Sequence, residues 1–352
     1  MHVGFEAAFQ NRGDTADSEL LHRELEVCLR AEDLGFDSVW LTEHHFTDYG
    51  LIADPLLALA YIAARTQHIR LGTAVTVLPW HDPVRLAEQV LLADHLSGGR
   101  IVLGMGRGLA AAEFAGLRVP LDESRERFDA CARLLLAALS DGQIAAGALP
   151  GQPQLTLRPG PLAPFAGRMF SASVSPQSAP MNARLGLAPM LLLVKPVELL
   201  RADLDHYRAT WAIERPDAGP PPAPLLSVTV VVEDTAEWAL RTATHYDRIS
   251  HAIAVRHYGM AEPAFGAAKD YQYYRSWRPP TEPQPDRPPA TVVHGTPDAV
   301  LEQIDGFRRQ LGLQGVLTIF HGIPGEDGER SLRLFADKCL PELRGWDAAT
   351  TF

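Results

Sequence analysis

The strongest constraint on the fold is a repeated pairing, in which a short β-branched or apolar run is followed by a stretch whose apolar residues stand three or four apart. Such alternation predicts parallel strands joined by crossover helices. The first cycle runs from His2–Phe9 into a helix over 17–34, where Leu21, Leu25, Cys28 and Leu29 share a face and Gly35 ends the run. Strands are expected next at 37–42, 69–77 and 101–105, with helices at 55–64, 84–96 and 121–139. A Gly/Pro-rich stretch at 142–167 reads as an insertion carrying a short strand at 154–157. Strands at 169–172 and 190–194 precede further helical patterns, Leu226–Val232 is a β-branched seventh strand, and Gly315–Phe320 is an eighth. Eight cycles favour a closed (β/α)8 TIM barrel over an open doubly wound sheet. The expected organisation is one domain over 1–352, with the insertion after helix four and a long mobile loop at 259–289 before the last barrel elements.

Composition narrows the class. With 46% hydrophobic and 21% charged residues the chain resembles ordinary globular proteins, and no apolar run approaches the roughly 20 residues that span a bilayer. The N-terminal MHVGFEAAF carries no leader pattern, so the expected compartment is the cytoplasm, without a membrane partner. A net charge of −11 argues against wrapping nucleic acid or anionic lipid, yet leaves room for a small anion site. Cys28, Cys131 and Cys339 are far apart and odd in number, which points to buried, reduced thiols.

In such a barrel the chemistry belongs to the C-terminal ends of the strands. Three places qualify: Glu43-His44-His45-Phe46 after strand two, Gly106-Arg107-Gly108-Leu109 after strand four, and Ser173–Ser178 after strand five. The Glu-His-His run invites a metal reading, but neighbouring residues on a strand point to opposite faces, so His44 and His45 are not expected to share an ion, and no metal is expected. A histidine acting as general acid or base, and histidines merely hydrogen-bonded at a strand end, both remain open from the residues alone. Arg107 between two glycines can fork onto a phosphate, or form a rim salt bridge. The serines at 173–178 open a helix with free N–H groups, which suits an anion or a simple cap.

The stretch from Phe36 to Leu51, FDSVWLTEHHFTDYGL, resembles the luciferase-like flavin-dependent monooxygenases, and the alpha-subunit pattern of bacterial luciferase in particular. Further matches follow in order at Leu71-Gly72-Thr73-Ala74, His81-Asp82-Pro83-Val84-Arg85, Leu96–Arg100, Arg107-Gly108-Leu109, Ser175-Pro176, Pro189-Met190 and Gly295-Thr296-Pro297. The resemblance implies a (β/α)8 barrel that takes FMNH2 from a separate NAD(P)H:flavin reductase, forms a flavin C4a-(hydro)peroxide with O2, and oxygenates an organic substrate. It implies that His44 is the catalytic acid/base. Arg107, Ser175, Ser178 and the Val174 backbone match the family's FMN phosphate site, while Glu43, Ala74, Val75 and Leu109 match the surroundings of its ring. The loop at 259–289 matches a mobile lid. His45, Phe46, Gly106 and Ala110 are then expected to line the substrate pocket.

The chain also departs from the luciferase pattern. Gly106 stands in place of a reactive cysteine, Ala110 and Ala111 replace a tyrosine and an aspartate, and Val194 lies near a tryptophan position. A roomier pocket is expected, suited to an aromatic or polycyclic metabolite more than to a long-chain aldehyde. Two alternatives stay open: an F420-dependent oxidoreductase of the same superfamily, and a non-catalytic flavin-binding subunit, which would lack counterparts of His44 and Arg107. Because this chain carries both, it is expected to form a homodimer with a complete site in each subunit.

Overall fold

The computed structural model describes residues 1–13, 15–263, 265–268, 270–276, 289–320, 322–323 and 325–346. Eight parallel strands form the barrel: β1 (His2–Ala7), β2 (Ser38–Leu41), β3 (Arg70–Thr73), β4 (Ile101–Gly106), β5 (Met169–Ala172), β6 (Ala188–Leu192), β7 (Leu225–Val232) and β8 (Gly315–Phe320). Each pairs with its neighbours in chain order, β8 pairs back onto β1, and the β6–β7 ladder sets Met190 opposite Leu225, so the ring closes. The intervening helices include α1 (Asp17–Arg30), α2 (Pro55–Ala63), α3 (Pro83–Ser97), α4 (Ala111–Gly116), α5 (Ser124–Asp141), α6 (Ser178–Leu185), α7 (Val197–Glu214) and α8 (Ala236–His257). No helix among the described residues is long and apolar enough to cross a membrane.

Two apolar layers hold this arrangement. The larger lies between strands and helices and contains Cys28, Cys131 and Cys339 as free, buried thiols. The smaller fills the barrel itself, with Trp40, Val102, Phe170, Met190, Leu225 and Leu317. Trp40 fits because the two strands that flank β2 carry glycines: a Cβ at Gly72 would lie 2.2 Å from Trp40 Cε3, and one at Gly4 would lie 2.8 Å from Trp40 Nε1. The indole N–H donates to Ser38 Oγ at 2.6 Å, which satisfies the one polar atom that this packing buries on the ring.

Several expected boundaries shift, for local reasons. The third strand stops at Thr73, passes a cis Ala74–Val75 peptide, and resumes at Thr76–Val77. At that break the Thr73 hydroxyl donates to Gly104 O (2.7 Å) and accepts from Gly104 N–H (3.0 Å), standing in for ladder bonds between β3 and β4. The sixth strand begins two residues early, at Ala188, because its ladder partners lie in β5 and β7, and not where hydropathy peaks. Sequence reading passed over α4 as a glycine-rich turn, and it missed Val292–Gly295, which pairs in parallel with Thr229–Val232. The insertion contains an antiparallel hairpin, Gln143–Ile144 with Leu155–Thr156. The final helical region runs on past Leu340 to Gly345.

One buried ion pair fastens α3 to the start of β4 and β5. Arg168 Nη1 donates to Asp94 Oδ1 (2.8 Å) and to Ile101 O (3.0 Å), and Ile101 N–H also donates to Asp94 Oδ1 (3.2 Å). Removing the guanidinium leaves a fully buried carboxylate without its counter-charge, so Arg168→Met is expected to destabilise the fold by about 3–5 kcal/mol. A thermal scan checks this: an unchanged melting temperature would show the pair to be dispensable.

Candidate active site

At the C-terminal end of β2 the Glu43-His44-His45 run splits between two networks. The Glu43 carboxylate accepts from His81 Nε2 (2.8 Å), His45 Nε2 (3.2 Å) and Val77 N–H (2.7 Å). His44 turns the other way, with Nδ1 3.2 Å from Glu113 Oε1. The side chains of adjacent residues therefore serve different partners in the segment just past β2. The Glu43 side chain is fully buried, with its carboxylate held by these three donors.

The partners of His44 come from elements that sequence reading did not connect to it. Glu113, on α4, also accepts from His45 N–H at 2.8 Å and lies 3.6 Å from His257 Nε2, on the last residue of α8. Tyr49 stacks flat on the His257 ring at 4.8 Å and meets His44 edge-on at 4.7 Å. Burial, followed by the neighbouring His44, pushes the pKa of His257 down to about 4, with Glu113 pulling weakly the other way. Its ring is thus neutral near pH 7, and its Nε2 finds no hydrogen-bond partner among the described residues. Inside the barrel, burial pushes Glu6 up to about 7 although Ser227 Oγ donates to it at 2.6 Å.

A second group of residues forms a cationic cradle. Arg107 follows β4, its guanidinium 3.9 Å over the ring of Tyr271 and donating to Asp270 O at 3.1 Å. Arg125, at the start of α5, was missed in the sequence because an arginine in a first helical turn carries no distinctive pattern. Its Nη1 contacts Met181 Sδ on α6 at 2.9 Å, while Nη2 is buried without a partner. Burial and the nearby Arg107 charge both press its pKa down, which marks two cations held close together. Met181 brings Arg125 to the opening of α6, where Ser175 Oγ and Ser178 Oγ lie 2.9 Å apart. Val174 O accepts from Lys195 Nζ at 2.7 Å, and Lys195 pairs with Asp203 in the buried interior.

The described part of the loop after α8 packs over this cradle. Met260, Phe265, Tyr271 and Tyr274 form a buried cluster with Leu109 and Val174 at its edge. Tyr271 Oη donates to Gly108 O at 2.9 Å. The Pro-rich end of the expected mobile loop, 277–288, lies outside the described residues.

Among the expected pocket residues, Ala110 is buried at the start of α4, and His45 meets Trp80 edge-on at 5.1 Å. Phe46 is 71% exposed and covers Gly116, where a Cβ would lie 2.4 Å from its ring. The expected extra room at Gly106 is not there: a Cβ would lie 2.2 Å from Val75 Cγ2, which fills the space. A separate cleft of about 850 Å³, lined by Arg133, Arg184 and Arg215, sits at the opposite end of the barrel, where the helices finish.

Comparison with known proteins bears on the family and the barrel fold. The family described as luciferase-like monooxygenase matches residues 1–315. The alkanal monooxygenase alpha chain of Photorhabdus luminescens is 39% identical over 116 residues, 33% of this chain and 32% of that one. The aligned segments thus span about a third of the length of the first curated relatives. A monooxygenase from Streptomyces bottropensis superposes with a TM-score of 0.77 at 24% identity, covering 97% of this chain and 99% of that one. The oxygenating constituent of 3,6-diketocamphane monooxygenase from Pseudomonas putida, solved with FMN, gives a TM-score of 0.73 at 18% identity over 97% and 99%. The fold is shared as well with an F420-dependent secondary alcohol dehydrogenase, at a TM-score of 0.66 and 14% identity over 96% and 97%.

The Glu43–His81 contact gives this rim a pH dependence. Burial is the largest influence on each group and disfavours its charge, yet their mutual attraction, with the donors on Glu43, leaves Glu43 below and His81 above their usual values. A raised histidine stabilises the fold below its unfolded value and loses that contribution as pH rises through the folded one; a lowered carboxylate stabilises above its unfolded value and loses it as pH falls. The melting-temperature advantage of the wild type over His81→Gln should therefore peak between about 4.3 and 6.5, the ordinary values of the two groups, and shrink on either side. A difference independent of pH would contradict a charged pair.

Proposed function

The chain belongs to the luciferase-like monooxygenase family, and on that premise we propose a two-component, flavin-dependent monooxygenase that takes reduced FMN from a separate NAD(P)H:flavin reductase and uses O2 to oxygenate a small organic substrate. The carrying observation is the cradle: a buried Arg125 Nη2 without a partner, beside Arg107 and facing the hydroxyl-bearing start of α6. Two close guanidiniums with an orphaned donor, only partly offset by Asp129 and Asp270, suit an anion of high charge, and a flavin phosphate supplies one. Reduced flavin, when bound, supplies the electrons with which oxygen is activated.

The chain's own residues do the rest. Arg107 and Arg125 hold the phosphate, with Ser175, Ser178 and the Val174 backbone completing its donors. Ala74 and Val75 pack over the barrel interior and, with Leu109, offer an apolar bed for the ring system. His44 holds and moves a proton at the rim, and Glu113 fixes the orientation of its imidazole through Nδ1. Tyr271 and Tyr274 help exclude water from above, which protects reactive oxygen species from wasteful discharge. An aromatic or polycyclic metabolite is the proposed substrate class, since the buried Ala110 is small where the luciferase pattern has a tyrosine.

The subunit pairs with a second copy in this reading. Adjoining helices α2 and α3 expose Leu57 (72%), Leu92 (51%) and Leu96 (62%), apolar surface that a monomer would leave in water.

Two substitutions separate binding from chemistry. Arg125→Ala should weaken anaerobic FMNH2 binding roughly ten- to a hundredfold, the loss of a charge-assisted contact worth about 1.5–3 kcal/mol. His44→Ala should keep that affinity while lowering turnover by about 10²–10⁴. Full binding by the first variant, or full turnover by the second, removes the residue from its proposed role. For the assembly, light scattering should report a dimer that Leu92→Arg converts to monomer; a wild-type monomer would contradict the pairing.

A further inference from the structure

Glu113 stands between two imidazoles that approach it from different elements, His44 after β2 and His257 at the end of α8. One donor atom from each of the three lies within 4.8 Å of the others. A tetrahedral zinc-class ion with ligand bonds of about 2.0–2.1 Å sets its donors about 3.3 Å apart. His44 Nδ1 lies 3.2 Å from Glu113 Oε1 and His257 Nε2 lies 3.6 Å from Glu113 Oε2, so each imidazole already stands near that separation from one of the two carboxylate oxygens. A small turn of the carboxylate and a closer approach of the imidazoles bring one donor from each residue onto a single ion.

Hydrogen bonding alone does not account for the cluster. It explains the contact of His44 with Glu113, yet it leaves His257 Nε2 buried, aimed at the carboxylate and without a partner among the described residues. Such an orphan is costly in a protein interior. The ring is held where it is by Tyr49, stacked at 4.8 Å, and by Tyr258 at 4.5 Å, so it does not turn freely to find another partner. The backbone N–H of His44 is likewise fixed, donating to Ile52 O at 2.9 Å.

We propose that His44, Glu113 and His257 form a binding site for a divalent transition-metal cation of the zinc class. Two imidazoles and one carboxylate form a donor set that prefers zinc and its neighbours over magnesium or calcium, which seek more oxygen. Glu113 and His257 are sealed in, each with 2% of its side chain exposed, whereas His44 keeps 15%. The fourth coordination position therefore opens on the His44 side, toward the barrel mouth. Occupancy satisfies the orphaned nitrogen and takes His44 Nδ1 and the Glu113 carboxylate out of the hydrogen bond that orients the imidazole, which makes the ion a brake on turnover. That last consequence rests on the function proposed above; the binding site itself does not.

The test uses the full chain, stripped with a chelator, without flavin or substrate, so its outcome is independent of whether the monooxygenase reading holds. Equilibrium dialysis against zinc should give one ion per chain, and cobalt in its place should give the visible absorption of a low-coordinate site. Glu113→Gln and His257→Gln should each weaken binding by at least about tenfold, since even the loss of a group that only supports a ligand costs that much. His22→Gln, on the exposed face of α1, should bind as the wild type does. Zinc X-ray absorption on the unaltered chain decides the matter even if a variant fails to fold, and two imidazoles with oxygen are expected. Absence of binding, variants that bind normally, or a spectrum showing sulfur or fewer than two imidazoles would overturn the proposal.

Discussion

Closure of the parallel ring is the constraint from which everything else follows. Once β6 and β7 pair through Met190 and Leu225, all eight strands end on one rim, and loops far apart in the chain must meet there. The ring closes around Trp40, whose volume is admitted by the missing side chains at Gly4 and Gly72. A side chain at either glycine would force the indole to move and disturb the layer on which Ala74 and Val75 rest. Packing inside the barrel thus sets the floor of the site.

Above that floor, one carboxylate organises the side that carries His44. Glu113 reaches His44, the backbone of His45, and the vicinity of His257, so three elements are tied by a single buried anion. The cradle on the other side is organised by the opposite sign. Arg107 and Arg125 repel one another in a partly buried setting, and the nearby Asp129 and Asp270 carboxylates offset part of that cost. Asp270 O and the Tyr271 ring cap Arg107.

What could be read from the sequence depended on whether a feature was local. Strand β8 was placed at Gly315–Phe320 because its apolar run is short and bounded, and α3 because Pro83 and the Gly98-Gly99 pair punctuate it. His44 and Arg107 were legible from the motifs around them. Glu113 was not, since it lies 69 residues from His44 in a helix of one and a half turns following a glycine-rich segment. Arg125 was equally silent, because only the fold brings the start of α5 against Met181 of α6. Strand Val292–Gly295 follows the Pro-rich stretch and pairs only with the upper half of β7, so its few residues gave no period to read.

The central claim is that the cradle of Arg107, Arg125, Ser175 and Ser178 recognises the phosphate of a reduced flavin. Its most direct test compares the anaerobic affinities of reduced FMN and reduced riboflavin, which share a ring system and differ in that phosphate. Two guanidiniums with hydroxyl and N–H support predict that riboflavin binds at least about tenfold more weakly. Equal affinities would contradict the account, because they would show that the cationic cradle takes no part in holding the flavin.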